Sequence, residues 1–140
     1  MITNERQYAI TKAQAAKFRE ALEAEPPKGM HPKALKAMRA GTQSQLEELE
    51  EQLAEYEALR SGELTTIKLG SLVDIGPALV KLRIARRLTH KALAERMNLA
   101  EQQIQRYEAT GYAGVSIERL QAVVDALNVR VNEVLTLEKE

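Results

Sequence analysis

The chain has 140 residues, 44% of them hydrophobic, with four Tyr, one Phe and no Trp, a size that allows one domain or a small domain with an appendage. The absence of Cys excludes disulfides and thiolate metal sites, no apolar run reaches the ~18 residues of a spanning helix, and the polar opening MITNERQYAITK lacks the apolar core of a signal peptide. Twenty basic and twenty acidic side chains cancel to a net charge of zero; with neither of those segments a cytoplasmic protein is expected, and an all-α one because Ala, Leu, Glu, Lys, Arg and Gln dominate.

The first predicted helix runs from about Asn4 to Ala24. Asn4 with Gln7 has capping-box spacing, and Tyr8, Thr11, Ala15, Phe18 and Leu22 share one stripe at intervals of three and four. Pro26-Pro27-Lys28-Gly29 ends this helix in a turn. Pro32 suits the first turn of a second helix that extends to about Arg60, and His31 reads as a residue preceding that helix, with a ligand role the weaker reading. Gly41 weakens this helix in mid-course. Its seam is Leu35, Met38, Thr42, Leu46, Leu49, Leu53 and Tyr56, heptad-like but short. An antiparallel hairpin would set Glu20, Glu23 and Glu25 near Lys33, Lys36 and Arg39, and Arg6 and Lys12 near the acidic run Glu47–Glu57. The expected division is residues 1–62 as hairpin and 63–140 as a second domain.

Residues 63–76 read as a connector with at most one helical turn. Pro77 opens a helix ending near Arg87, Thr89 caps another from His90 to Met97, and a third runs from about Glu101 to Ala109. A glycine-bearing loop spans Gly111 to Val115. Ser116 caps a helix from Ile117 to Leu127, Asn128 terminates it, and a last short helix is predicted from Arg130 to Leu135. Leu79, Leu82, Leu88, Leu93, Met97, Ile104, Leu120 and Leu127 are the predicted core. Charge is segregated: residues 1–41 carry eight basic and four acidic side chains, 42–63 one and seven, 77–130 nine and five, and 131–140 one and three. A neutral chain can therefore still present a basic face.

The stretch LRIARRLTHKALAERMNLAEQQIQRYE (82–108) has the pattern of two short helices joined by a tight turn. Ala94 is small where two helices approach closely, and Asn98 tolerates the left-handed backbone that a reversal needs. Ile104 plugs the second helix back onto the first. The outer face of that helix carries Glu101, Gln102, Gln103, Gln105 and Arg106. These are side chains suited to base edges: Gln to adenine, Arg to guanine, Glu to cytosine N4. An ordinary solvated helix surface is the competing reading.

Residues 77–135 resemble the Xre family, the Cro and phage-repressor type of DNA-binding domain. The match lies in Leu82-Arg83, Arg86-Arg87-Leu88-Thr89, Leu93-Ala94, Ile104, Arg106-Tyr107-Glu108 and Leu127-Asn128-Val129. The resemblance implies a five-helix, lambda-repressor-like helix-turn-helix fold that binds double-stranded DNA, usually as a homodimer. It implies an ion pair between Arg83 and Glu108, phosphate contacts from Thr89 and His90 with Lys91 beside them, and a groove-facing set of Glu101, Gln102, Gln103 and Arg106. The loop Gly111–Gly114 is a further candidate for offering amides to phosphate. The chain departs from the family with His90 for the usual Gln, Ala100 for the usual Ser or Thr cap, and Arg87 and Asn98 for usual glycines.

A helical extension ahead of such a domain is similar in plan to HigA-type antitoxins. That likeness implies a repressor of its own operon whose extension binds a small basic ribonuclease toxin, with Glu47, Glu48, Glu51 and Glu55 as the candidate partner face. The bland reading of those glutamates is a solvated helix surface. The alternative function is a stand-alone Xre-type regulator whose hairpin dimerises or senses a signal. An enzyme is the disfavoured class, because His31 and His90 lie in different segments without a Cys, a phosphate loop or a metal-spaced cluster; no cofactor, metal or membrane partner is expected.

Overall fold

Asn4 opens the first helix by accepting a hydrogen bond from the Gln7 amide at 2.7 Å. The Gln7 side chain answers one residue earlier than a capping box would, accepting from the amide (2.9 Å) and hydroxyl (3.1 Å) of Thr3. Helix α1 (Glu5–Glu23) stops at extended Ala24, ahead of the two prolines that cannot continue it. His31 Nδ1 accepts from the Lys33 amide and Pro32 fills the first turn of α2 (Pro32–Arg60). The structure, a computed structural model, describes residues 1–140. It contains helices and connecting chain and no strand, and it divides into two units, Met1–Leu64 and Thr65–Glu140.

In the first unit α1 and α2 form an antiparallel hairpin. The Tyr8 hydroxyl donates to Glu57 at 2.5 Å, and the Tyr56 hydroxyl and Arg60 both donate to Glu5 at 2.9 and 2.7 Å. The Arg60 guanidinium lies 4.9 Å from the Tyr8 ring centre and 5.4 Å from that of Tyr56, and the two rings are 5.2 Å apart. Arg60 first, then Tyr56, hold the Glu5 carboxyl below its ordinary pKa, while Glu57 raises that of Tyr8. Ala15, Leu46, Leu53, Tyr56 and Leu59 are buried along the seam.

The pairing of Glu5 with Arg60 and Tyr8 with Glu57 fixes the register of the hairpin. Continued along the pair, it brings the end of α1 opposite the region of Thr42. At 19 residues α1 is about 28 Å long and at 29 residues α2 is about 43 Å, so the excess length of α2 falls at its start. Met38, expected on the seam, is accordingly 45% exposed. The expected opposition of Glu20 and Glu23 to Lys33, Lys36 and Arg39 is corrected by the same register; Arg19 instead pairs with Glu50 at 3.3 Å.

The second unit begins with a 3-10 turn at Leu72–Asp74, where the Asp74 carboxylate accepts from the Ser71 amide at 3.0 Å. Four helices follow: α3 (Ile75–Ala85), α4 (His90–Met97), α5 (Glu101–Ala109) and α6 (Ile117–Ala126). Thr89 caps α4 and Ser116 caps α6 through their hydroxyls. Leu79, Leu93, Ile104, Val123 and Leu127 form the fully buried centre, and none of the eight predicted core residues is exposed. Gly76 sits where α3 crosses the loop after α5. A Cβ there would overlap the Gly111 carbonyl oxygen.

The helix expected over residues 130–135 does not form; no helix follows α6. Asn128 adopts φ 54°, and its amide and that of Val129 close back onto Asp125 and Val124 at 3.1 Å each. This left-handed stop satisfies the last carbonyls of α6. Val129, which would have to cap a helix starting at Arg130, has no side-chain acceptor to offer. The following Val129, Val131, Val134 and Thr136 are β-branched and resist helix nucleation without a cap.

Candidate nucleic-acid interface

Helices α4 and α5 make the two arms of a helix-turn-helix, and the turn is built as the sequence dictates. Asn98 takes φ 54°, ψ 45°, and the Leu99 amide reaches the Ala94 carbonyl at 2.9 Å. Ala94 is buried against the crossing and Ile104 is fully buried beneath α5. The opposite face of α5 points to solvent: Glu101, Gln102, Gln105 and Arg106 are exposed and Gln103 is half-buried. One helix thus divides into an apolar underside that fixes its position and an outer row of amides, a carboxylate and a guanidinium. Ala100 precedes α5 in extended conformation without a side-chain cap, so the first amides of that helix lack the usual hydroxyl acceptor.

The exit of α5 is locked by a buried charged cluster. Arg83 donates to Glu108 through Nε at 2.6 Å and Nη2 at 2.9 Å, and through Nη1 to the Leu88 carbonyl at 2.7 Å. His90 Nε2 stands 2.9 Å from Glu108 Oε1 and 3.1 Å from Arg83 Nη2. Burial opposes ionisation of Glu108, but hydrogen bonds from His90 and Arg83 outweigh it and hold the carboxyl below its ordinary pKa. Tyr112 lies beneath this cluster with its ring 5.6 Å from that of Tyr107. Burial, and then the charge of Glu108, keep its phenol protonated far above the ordinary range.

This geometry corrects the place given to His90. Its side chain is 6% exposed and inside the cluster, so it cannot reach a phosphate; a ring nitrogen between a carboxylate and a guanidinium finds its partners indoors. Thr89 and Lys91 on either side are exposed. The Thr89 oxygen accepts from the Ala92 amide at 3.0 Å, which leaves its O–H free to donate outward. In the loop after α5, the amides of Gly111, Tyr112 and Ala113 donate to the carbonyls of Glu108, Tyr107 and Thr110, so these three are not on offer to an anion.

Two further arginines have a role that sequence alone did not reveal. Arg86 donates to the Leu127 and Asn128 carbonyls at 3.0 and 2.8 Å, and Arg96 to the Ala126 carbonyl at 2.9 Å. Both neutralise the negative end of α6 and tie α3 and α4 to it. Arg86 commits Nε and Nη2, and Arg96 one Nη1 donor, inside the unit, and both side chains remain exposed on its surface. Nothing in the spacing of the arginines marks these two apart from Arg106.

No three His, Asp or Glu side chains come together as a metal site, and no helix is long and apolar enough to cross a membrane. A buried Arg–Glu tie, a left-handed turn between two short helices and an outward polar row on the second define a helix-turn-helix DNA-binding unit. Residues 78–140 match the family model of the Cro/C1-type HTH DNA-binding domain, and the second unit of this chain is a domain of that type. No curated protein and no solved structure matches the chain.

Proposed function

We propose that the chain is a sequence-specific transcriptional regulator that reads the major groove with α5. The observation that carries this is the division of α5 itself: Ile104 fully buried on one side, Gln102, Gln105 and Arg106 exposed on the other. Glu101, Gln102, Gln103 and Gln105 supply base-edge donors and acceptors, Arg106 supplies a fork for guanine or phosphate, and Thr89 and Lys91 hold the backbone beside the groove. His90 acts one step removed, by fixing Glu108 and the start of α4. Two copies would read two half-sites about one helical turn apart. Selection of bound duplexes from a randomised pool tests this reading. A two-fold symmetric site supports it, and recovery of unrelated sequences with binding that depends on salt alone refutes it.

The finer role we assign is cytoplasmic repression coupled to a protein partner, on the pattern of an antitoxin that controls its own operon. Its support is the exposed acidic face of α2, where Glu47, Glu48, Glu51 and Glu55 face solvent; such a face suits a small basic protein such as a ribonuclease toxin. Co-expression of the full chain with the product of the adjacent reading frame tests it. Stable co-purification that is lost on reversing these four charges supports the antitoxin role. Absence of a complex favours a stand-alone regulator.

A further inference from the structure

The cations of the first unit are of two kinds. Arg19 and Arg60 hold Glu50 and Glu5, whereas Lys28, Lys33, Lys36 and Arg39 are exposed and hold no carboxylate. From Pro26 to Leu46 the chain has no acidic residue at all. The register of the hairpin explains why none is borrowed from α1. The start of α2 extends past the end of α1, so Leu35 there is only half-buried and Met38 is 45% exposed. Nor does the helix itself profit from the charge. Its first turn holds Lys33 and no acid, which sets a cation against the positive end of the helix dipole. Unpaired cations, one of them at the unfavourable end of a dipole, serve an anion outside the chain.

We propose that this basic tip grips the phosphate backbone of the duplex flanking the operator, as a DNA contact separate from α5. Lys33, Lys36 and Arg39 fall within about a third of the helix circumference and span ~9 Å of its axis. That is the axial room of two to three successive phosphates at about 3.4 Å each on one strand. Long cations on an exposed helix suit phosphate without reading bases. Glu23 and Glu25 lie before the turn, nearest in sequence to Lys28, so the three helical cations carry the contact. The acidic run of α2 does not cancel them. Glu47, its first member, lies about 12 Å along the axis from Arg39, beyond the ~8 Å Debye length at physiological salt. Residues 61–71, between α2 and the first turn of the second unit, hold no helix and reach at most roughly 36–40 Å. A DNA-bound second unit therefore keeps the tip at high effective concentration near the same duplex. The proposal rests on the DNA-binding reading above and adds to it a contact without sequence preference.

Salt titration of the full chain tests it. Each phosphate neutralised adds about 0.9 to the steepness with which log affinity falls against log salt. The Lys33→Gln/Lys36→Gln/Arg39→Gln variant should therefore lose ~2–3 from that slope on a long duplex, with affinity falling by the same factor for operator and random sequence. On a duplex trimmed to the operator, variant and wild type should bind alike. Gln is nearly as good a helix former as Lys, so the melting temperature should not fall, and Lys33→Arg/Lys36→Arg/Arg39→Lys should keep the wild-type slope. A slope unchanged by the neutral variant would overturn the proposal and leave the tip to an acidic protein. An equal deficit on trimmed and long duplexes would overturn it in favour of a general effect of net charge, and a change of mass in light scattering in favour of a second copy of the chain. Wild-type binding absent on every duplex would instead refute the DNA-binding reading itself.

Discussion

At the scale of single residues, the second unit turns on Glu108. Its carboxylate accepts from Arg83 and His90 inside the domain, with side-chain exposure of 3% for both Arg83 and Glu108. Removing one partner of a buried pair leaves the other uncompensated, at a cost of ~3–5 kcal/mol. Glu108→Gln is therefore expected to destabilise the second unit by that order, as read by chemical denaturation at pH 7. The same group sets an acid limit. Its pKa is lower folded than unfolded, so its contribution is complete above the ordinary Glu value of ~4.3 and is lost as pH falls through the folded value. The wild-type chain should lose stability across that acid window, and Glu108→Gln should lack this part of the loss. A variant with the same acid profile as the wild type would contradict the assignment. Residue chemistry was only partly legible beforehand. Asn98 and Asn128 announced their left-handed backbone, because Asn tolerates it. Tyr112 at φ 61° did not, since its side chain does not favour that region, and Arg87 at φ 58° was marked only by standing where the resembled family usually has a glycine. His90 occupies a position that suggests phosphate, but its environment depends on Arg83 and Glu108, seven and eighteen residues away.

At the scale of elements, the boundaries that carry side-chain signals were readable and those set by tertiary register were not. Pro32 with His31, Thr89 and Ser116 marked the starts of α2, α4 and α6, and each start is capped as its chemistry requires. The final helix failed although Asn128 was read correctly as a stop, because no capping side chain directly precedes Arg130 and the β-branched residues that follow resist nucleation. Two glycines illustrate the difference between a local and a tertiary constraint. Gly41 lies inside α2 with open space around a would-be Cβ, whereas Gly76 abuts the Gly111 backbone. Gly41→Ala should stabilise the hairpin by roughly 1 kcal/mol through helix propensity alone. Gly76→Ala should destabilise the second unit, because backbone on both sides must move. Thermal melts of the two variants should shift in opposite directions; a shared direction would contradict this reading of their surroundings.

At the scale of the whole molecule, a net charge of zero hides opposed regions, with residues 42–63 strongly acidic and 77–130 basic. That distribution separates the basic side chains of the DNA-binding unit from the acidic run of the hairpin, and under the function proposed above the acidic run is the face offered to a basic partner. The central claim is that the outer row of α5 reads bases. The most direct measurement compares the wild-type chain with the Gln102→Ala/Gln103→Ala double variant on the selected operator and on random duplex, at one fixed salt concentration. Each glutamine that pairs with a base edge should be worth ~1–3 kcal/mol of discrimination, so the operator preference should fall at least tenfold while random-duplex affinity stays nearly constant. An operator preference unchanged in the double variant would show that these side chains do not read the site.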